Sequence, residues 1–134
     1  MPCGGHLPAN GWLSSPSYPH RHDGGLDCVW DVTAPPGHLV FLTVVDLDLY
    51  ISSLCYYEYL VVGNTQTWQR NITMCHASNV ERTIISASNV LWVFYHTTYS
   101  SMKRGFNITF TSQGKTVCQL GCVEHLQKLN ISIR

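Results

Sequence analysis

The sequence has few charged side chains and no excess of either sign. Charged residues make up 12% of the 134 residues, and the formal net charge at neutral pH is zero. A chain without a net charge is not steered towards nucleic acid or an anionic membrane by its overall field. We therefore expect no nucleic-acid partner.

Long apolar runs are also missing. The longest, Leu39–Val45 and Val90–Tyr95, are far shorter than the roughly 20 residues that a membrane-spanning helix needs. Apolar residues nevertheless make up 45% of the chain, which is enough to fill a hydrophobic core. The composition therefore predicts a single folded domain that does not span a membrane, with the two runs forming buried strands.

Sequence patterns of catalysis are missing as well. The chain contains no His-Glu-x-x-His zinc motif and no Gly-x-Ser-x-Gly nucleophile turn. Among its seven histidines, His20 and His22 would share one face of a strand, but no spacing supplies a third zinc ligand. We predict that the chain is not an enzyme and holds no cofactor, and that its histidines lie in exposed loops.

The cysteines and sequons that are present indicate an oxidising, secretory compartment. The chain has six cysteines and three Asn-X-Ser/Thr sequons, the acceptor pattern for N-glycosylation. The predicted glycosylation sites are Asn71, Asn107 and Asn130. We therefore expect a glycoprotein that is secreted or lies on the extracellular face of the plasma membrane.

Short segments of β-branched and aromatic residues follow a start of 25 residues that is interpreted as turns. They predict strands at Cys28–Thr33, His38–Leu49, Tyr57–Val62, Asn71–Cys75, Arg82–Ala87, Val90–His96 and Phe106–Thr111. No 3.6-residue stripe of apolar residues precedes residue 118. Many short strands without intervening helices predict an all-β sandwich or barrel.

Alternation within the last strand predicts its orientation. Phe106, Ile108 and Phe110 share one face, which we assign to the core, and Asn107 falls on the other face. The sequon at Asn107 is therefore expected to point outward, where a glycan is tolerated.

The strand at Val90–His96 is apolar on both faces. Leu91 and Val93 share one face, whereas Trp92 and Phe94 share the other. We predict that this second face is covered by a neighbouring domain or a protein partner, and packing beneath long loops is the alternative. Because aromatic side chains anchor interfaces, the candidate partner-binding residues are Tyr18, Tyr56, Trp92, Phe94 and Tyr99.

The last part of the chain differs in composition from the rest. Residues 112–117 are polar and are interpreted as a linker that follows a domain at 3–111. Residues 118–134 contain Cys118 and Cys122 but are too few to form a core. We interpret them as the start of a following module, with a structured C-terminal extension as the alternative.

Several short motifs occur in a fixed order along residues 3–111. They are Cys3-Gly4-Gly5 and Gly11–Pro19 at the start, Cys28-Val29-Trp30, Pro36-Gly37 followed by Val40, Leu42 and Val44, Cys55–Val62, and Ser88–Leu91 with Gly105-Phe106 near the end. In this order and spacing they resemble the CUB domain of complement proteases, tolloid-type metalloproteases and spermadhesins.

The resemblance implies an antiparallel two-sheet β-sandwich, the CUB/spermadhesin-like jelly roll, closed by two disulfides. It implies the pairs Cys3–Cys28 and Cys55–Cys75. Cys118 and Cys122 are left unassigned, since they can pair with each other or with cysteines of a following module.

Many CUB domains hold one calcium ion with three acidic residues and then capture a lysine of the partner. The matching positions here are Tyr50, Glu58 and Thr98, so only one carboxylate remains. Calcium takes six to eight oxygen ligands, usually including several carboxylates. Asp46 and Asp48 lie nearby but outside the matching positions. We predict a degenerate site, filled by hydrogen bonds among the three residues instead of a metal ion.

The resemblance implies a non-catalytic, calcium-independent binding or adhesion module of an extracellular multidomain protein. Its expected partner is an extracellular protein or a glycan. One alternative is a module that positions or oligomerises a larger secreted protease or receptor. Another is a CUB domain that captures its ligand through calcium.

Overall fold

The computed structural model describes residues 3–20, 25–50, 54–64, 71–75, 82–98 and 103–114. These residues form nine strands: β1 (Gly5–Pro8), β2 (Gly11–Ser14), β3 (Leu26–Thr33), β4 (His38–Asp48), β5 (Glu58–Gly63), β6 (Ile72–Met74), β7 (Thr83–Ile85), β8 (Val90–Thr97) and β9 (Gly105–Gly114).

The nine strands form two sheets. Sheet A has the order β1-β3-β8-β5-β6, and sheet B has the order β2-β9-β4-β7. The neighbours pair antiparallel, except that β1 pairs parallel to β3. Each of the seven segments predicted as strands contains a strand, which confirms the predicted all-β, two-sheet sandwich.

The interpretation of the first 25 residues as turns was wrong for two short strands. β1 pairs with β3, and β2 pairs with β9, so both lie at the edge of a sheet. Each is only four residues long and contains glycine or proline. Such a segment carries too little alternation to be recognised, and its hydrogen-bond partners come from strands that are distant in sequence.

The last strand is longer than predicted. β9 continues to Gly114 because Ser112 and Gln113 pair with Val40 and Leu39 of β4. The strand therefore extends three residues into the segment that was interpreted as a linker. The division into a domain at 3–111, a linker at 112–117 and a further segment at 118–134 stays a prediction, and residues 115–134 lie outside the described part of the chain.

The core lies between the two sheets and takes alternate residues from their central strands. In β9, Phe106, Ile108 and Phe110 are at most 2% exposed, as the alternation predicted. The ring of Phe106 meets Tyr95 of β8 edge-on, with the ring centroids 5.0 Å apart. Each fully buried side chain of this size contributes roughly 1.5–3 kcal/mol to folding.

Two disulfides lie in the described part of the chain, and they are the pairs implied by the resemblance. Cys3 is bonded to Cys28 and Cys55 to Cys75, with sequence separations of 25 and 20 residues. Crosslinks that close loops of this length stabilise a fold by about 3 kcal/mol each, chiefly by restricting the unfolded chain.

Candidate binding surfaces

Glu58 is a buried carboxylate at the first position of β5. It is 1% exposed. The backbone N–H of Tyr50 donates a hydrogen bond to Glu58 Oε1 at 2.7 Å, and the hydroxyl of Tyr95 donates to Oε2 at 2.6 Å. Both carboxylate oxygens therefore accept hydrogen bonds from the protein itself, which is how a fold compensates a carboxylate that has lost its water.

Tyr95 is suited to this role because it stays protonated. Burial, followed by the hydrogen bond to Glu58, raises the pKa of the Tyr95 hydroxyl well above its usual range. The hydroxyl thus remains a donor to the carboxylate at every physiological pH.

The three positions of the degenerate calcium site are only partly connected. Tyr50 reaches Glu58 through its backbone, whereas its side chain lies in an exposed position. The hydroxyl of Thr98 lies 2.9 Å from Nε2 of His96 instead. Among the described residues, no group of three or more His, Cys, Asp or Glu side chains is placed to hold a metal ion.

Asp46 and Asp48 belong to a separate charge network on sheet B. Arg104 donates to both oxygens of Asp46 at 2.9 and 2.8 Å, and its backbone N–H donates to Asp48 Oδ2 at 3.1 Å. The hydroxyl of Tyr18 also donates to Asp46, at 2.6 Å. The hydrogen bonds from Arg104 hold the pKa of Asp46 below its usual value. Both carboxylates are therefore engaged by a cation.

An exposed group of apolar side chains lies beside Glu58. We call it the tyrosine cluster, and it consists of Tyr50, Leu54, Tyr56 and Tyr57, which are 51%, 76%, 69% and 41% exposed. The ring of Tyr57 packs edge-on against Tyr50 at 5.7 Å and lies 6.2 Å from Tyr56. Large apolar groups exposed side by side mark interaction surfaces. Of these four residues, only Tyr56 was named from the sequence as a candidate partner-binding residue.

The outer face of β8 is more buried than expected. Phe94, a candidate partner-binding residue from the sequence, is only 8% exposed. β8 lies between β3 and β5, which places Phe94 between Val29 and Val61 on the same face of the sheet. Trp92 on this face is half-buried. Of the two aromatic residues, Trp92 is the one that retains accessible surface.

Among the described residues, the expectation of loop histidines was wrong for three. His38 and His96 lie in strands that were themselves predicted, and His6 lies in β1. Nδ1 of His6 in β1 lies 2.5 Å from Asp31, and Nδ1 of His96 in β8 lies 2.6 Å from Asp27. His38 begins β4. Both aspartates lie on the neighbouring strand β3, and no sequence spacing indicates these pairs.

The outer face of sheet B carries a groove of about 440 Å³, lined by Trp12, Ser14, Tyr18, Asn107 and Thr109. Trp12 is 68% exposed and was not identified from the sequence. Asn107 faces outward, as the alternation predicted. The candidate residue Tyr99 and the sequon residue Asn130 lie outside the described part of the chain.

The CUB domain family model matches residues 3–110 of this chain. The chain belongs to the CUB domain family. Its CUB domain is 35% identical over 114 residues to cubilin from Sus scrofa, a match that covers 83% of this chain and 3% of cubilin. It is 30% identical over 99 residues to embryonic protein UVS.2 from Xenopus laevis, covering 74% of this chain and 19% of that protein.

A solved structure supports the same assignment. The full extracellular region of zebrafish Gpr126/Adgrg6 matches this CUB domain with a TM-score of 0.74 and 29% sequence identity, over 85% of this chain and 15% of that one. The chain thus spans less than a fifth of the length of each of these three proteins.

The relatives also indicate the cellular location of the domain. Cubilin, tolloid-like protein 1 and the adhesion receptor G6 are secreted or cell-surface proteins, so this CUB domain is extracellular. CUB domains mediate protein–protein interactions in such proteins. Within the described part of the chain, no helix has the length and apolar character needed to cross a membrane.

Proposed function

We propose that this CUB domain is a non-catalytic recognition module that binds an extracellular protein through the tyrosine cluster, without calcium. The observation that carries the proposal is the exposure of Tyr50, Leu54, Tyr56 and Tyr57 beside the buried Glu58. In the family resemblance, this end of the sandwich is where calcium and a lysine of the partner meet.

The chemistry of the cluster favours a protein partner. Tyrosine presents a large apolar ring and a polar hydroxyl, and it loses little side-chain entropy on binding. Tyr56 and Tyr57 directly follow Cys55, which is bonded to Cys75. A crosslink at this point restricts the loop before it binds, which lowers the entropic cost of association.

The hydrogen bonds around Glu58 support calcium independence. Its two oxygens accept bonds from Tyr50 and Tyr95, and the position of a second acidic ligand is occupied by Tyr50 itself. Asp46 and Asp48, the nearest acidic residues in the preceding strand, are bound by Arg104. A single buried carboxylate is a poor basis for a site that needs six to eight oxygens.

A non-catalytic role is supported by the state of the cysteines. The four cysteines in the described part of the chain are all in disulfides, so none of them is available as a nucleophile.

The proposal is tested with a panel of extracellular and cell-surface ectodomains, against which the labelled domain from a secretory host is titrated. The test variant combines Tyr50→Ser with Tyr56→Ser. The matched control is Ile85→Ser, which removes a 50% exposed apolar side chain from sheet B. We expect the test variant to bind its partner at least about tenfold more weakly, a loss of roughly 1.4 kcal/mol. The control should bind like the wild type.

Two outcomes contradict the proposal. Equal binding by the test variant and the wild type would exclude the tyrosine cluster and favour a module that positions a larger protein. Binding that is lost in EDTA and restored by millimolar calcium would show a calcium-dependent CUB domain instead.

A further inference from the structure

The groove on the outer face of sheet B brings a sequon residue and an exposed indole together. In the pairing of β2 with β9, Trp12 lies opposite Thr109, and Ser14 lies opposite Asn107. These four side chains share the outward face, because the alternate residues Leu13 and Ile108 are buried in the core. Asn107 is therefore the diagonal neighbour of Trp12.

The high exposure of Trp12 is the unusual feature of this groove. It is 68% exposed on an edge strand, although tryptophan is buried in most proteins. A large aromatic ring that remains in water beside a groove is a typical contact for a ligand with an apolar face.

The sequon of β9 is an acceptor site for such a ligand. Asn107-Ile108-Thr109 has the acceptor pattern for N-glycosylation, and both Asn107 and Thr109 line the groove. A glycan linked to Asn107 leaves the sheet on the side where Trp12 is exposed. Its first sugar, N-acetylglucosamine, has an apolar face of C–H groups and an acetamide methyl, which suit an indole ring.

We propose that the N-glycan of Asn107 is an integral part of the domain, with its first N-acetylglucosamine held in the groove against Trp12. Diagonal neighbours across an antiparallel pair lie about 7–8 Å apart, a distance that one sugar ring spans. Because the sugar is tethered at the groove, its effective concentration there is in the millimolar range or higher. A weak stacking contact is then sufficient to hold it.

Tyr18 also lines the groove, and its side chain is held by hydrogen bonding. Its hydroxyl donates to Asp46 at 2.6 Å, and Arg104 binds the same carboxylate. The hydrogen bond restrains the Tyr18 ring before any sugar is added, which reduces the entropic cost of ordering it when the sugar binds. This surface is separate from the tyrosine cluster, and the inference does not depend on the proposed function.

The test requires a chain in which Asn107 is the sole acceptor. Thr73→Val and Ser132→Ala remove the other two sequons. Thr73 is chosen because it is exposed, whereas the side chain of Asn71 lies against Gly63. The domain is secreted with high-mannose glycans and trimmed with endoglycosidase H to one N-acetylglucosamine. Mass spectrometry measures occupancy, and Asn107→Gln gives the form without a glycan.

The melting temperatures of the two forms are compared in three backgrounds: the wild-type residue at position 12, Trp12→Ala, and the matched control Tyr56→Ala. Tyr56 is similarly exposed, at 69%, but lies in the tyrosine cluster. We expect the single sugar to raise the melting temperature by about 3–6 °C with Trp12 present and in the control. In Trp12→Ala the sugar should leave the melting temperature unchanged.

Proton NMR gives a second readout that does not depend on stability. The N-acetyl methyl signal should be shifted upfield by the indole ring current, and the shift should vanish in Trp12→Ala or, if that variant is not secreted, in Trp12→Leu. Three results would each overturn the inference. The first is an unmodified Asn107, the second is the same rise in melting temperature with and without the indole, and the third is an unshifted methyl signal. After either of the last two results, the groove would be a candidate site for a ligand that is not attached to the chain.

Discussion

Tyr95 donates a hydrogen bond to Glu58 from β8 to β5, with 2.6 Å between the phenolic oxygen and Oε2, and both residues are 1% exposed. The register places Leu60 opposite Tyr95, so Glu58 is the diagonal neighbour of the tyrosine on the core face of sheet A. A carboxylate at this depth requires donors at both oxygens. The Tyr95 hydroxyl supplies the donor at Oε2, and the backbone N–H of Tyr50, a residue of the tyrosine cluster, supplies the donor at Oε1.

Replacing Tyr95 with phenylalanine should destabilise the domain by about 1–3 kcal/mol, because Glu58 stays buried after losing a donor. Urea denaturation at pH 7 measures the change. The control is Tyr59→Phe, which removes a hydroxyl from a half-buried ring that stacks on His96. It should change stability by less than about 0.5 kcal/mol. Equal effects of the two substitutions would show that the hydrogen bond to Glu58 contributes nothing specific.

Acid should weaken the domain in part through Asp46. Hydrogen bonds from Arg104 lower the pKa of Asp46 in the folded state, whereas an unfolded Asp has a pKa of about 3.9. The ionised carboxylate therefore contributes stability that is complete above this value and is lost as the pH falls through the lower, folded-state pKa. The stability that ionised Asp46 contributes is therefore lost at strongly acidic pH.

Asp46→Asn should accordingly be less stable than the wild type at pH 6, and the difference should shrink as the pH falls below about 4. Urea denaturation along a pH series measures it. Arg104→Gln should produce the same convergence, because it removes the group that lowers the pKa of Asp46. A difference that stays constant from pH 6 to strong acid would mean that the pairing is not what stabilises the fold.

The longer strands could be predicted from the sequence because their alternation is set by burial on one face. In β9, every second residue from Phe106 to Phe110 is buried, and the pattern is visible in the letters alone. β1 and β2 have only four residues each and contain Gly5, Pro8 and Gly11, so local chemistry favoured turns. Long-range pairing overrode that preference.

The sites were harder to predict because their contacts join residues far apart in the chain. Asp46 and Arg104 are 58 positions apart, and no periodicity links them. The exposure of Trp12 depends on β2 being an edge strand, which the sequence did not reveal. The disulfide pairs were accessible only through the family resemblance, since six cysteines allow many pairings.

Calcium should leave the stability of the domain unchanged. A ligand that binds only the native state raises the melting temperature by mass action, so calcium and EDTA should give the same value if no site exists. The matched variant combines Tyr50→Glu with Thr98→Asp, which restores acidic residues at the two exposed positions beside Glu58. We expect this variant, unlike the wild type, to be stabilised by millimolar calcium.

A rise of several degrees in the wild type would contradict calcium independence. It would then make Asp46 or Asp48 the missing ligand, and their release from Arg104 would have to accompany calcium binding. Calcium titrations of Asp46→Asn and Asp48→Asn would identify which carboxylate is used.

Trp92 and Phe94 together test whether the outer face of β8 is a second contact surface. Phe94 is 8% exposed, so Phe94→Ser should destabilise the domain by about 3–5 kcal/mol, the range for loss of a buried aromatic ring. Trp92 is half-buried, and Trp92→Ser should cost less and leave the domain folded. Urea denaturation ranks the two variants.

If a neighbouring domain or partner covers the outer face of β8, folded Trp92→Ser should bind it more weakly while the tyrosine cluster remains intact. Unfolding of Trp92→Ser would instead place Trp92 in the structural packing of sheet A, and the second contact surface would be excluded.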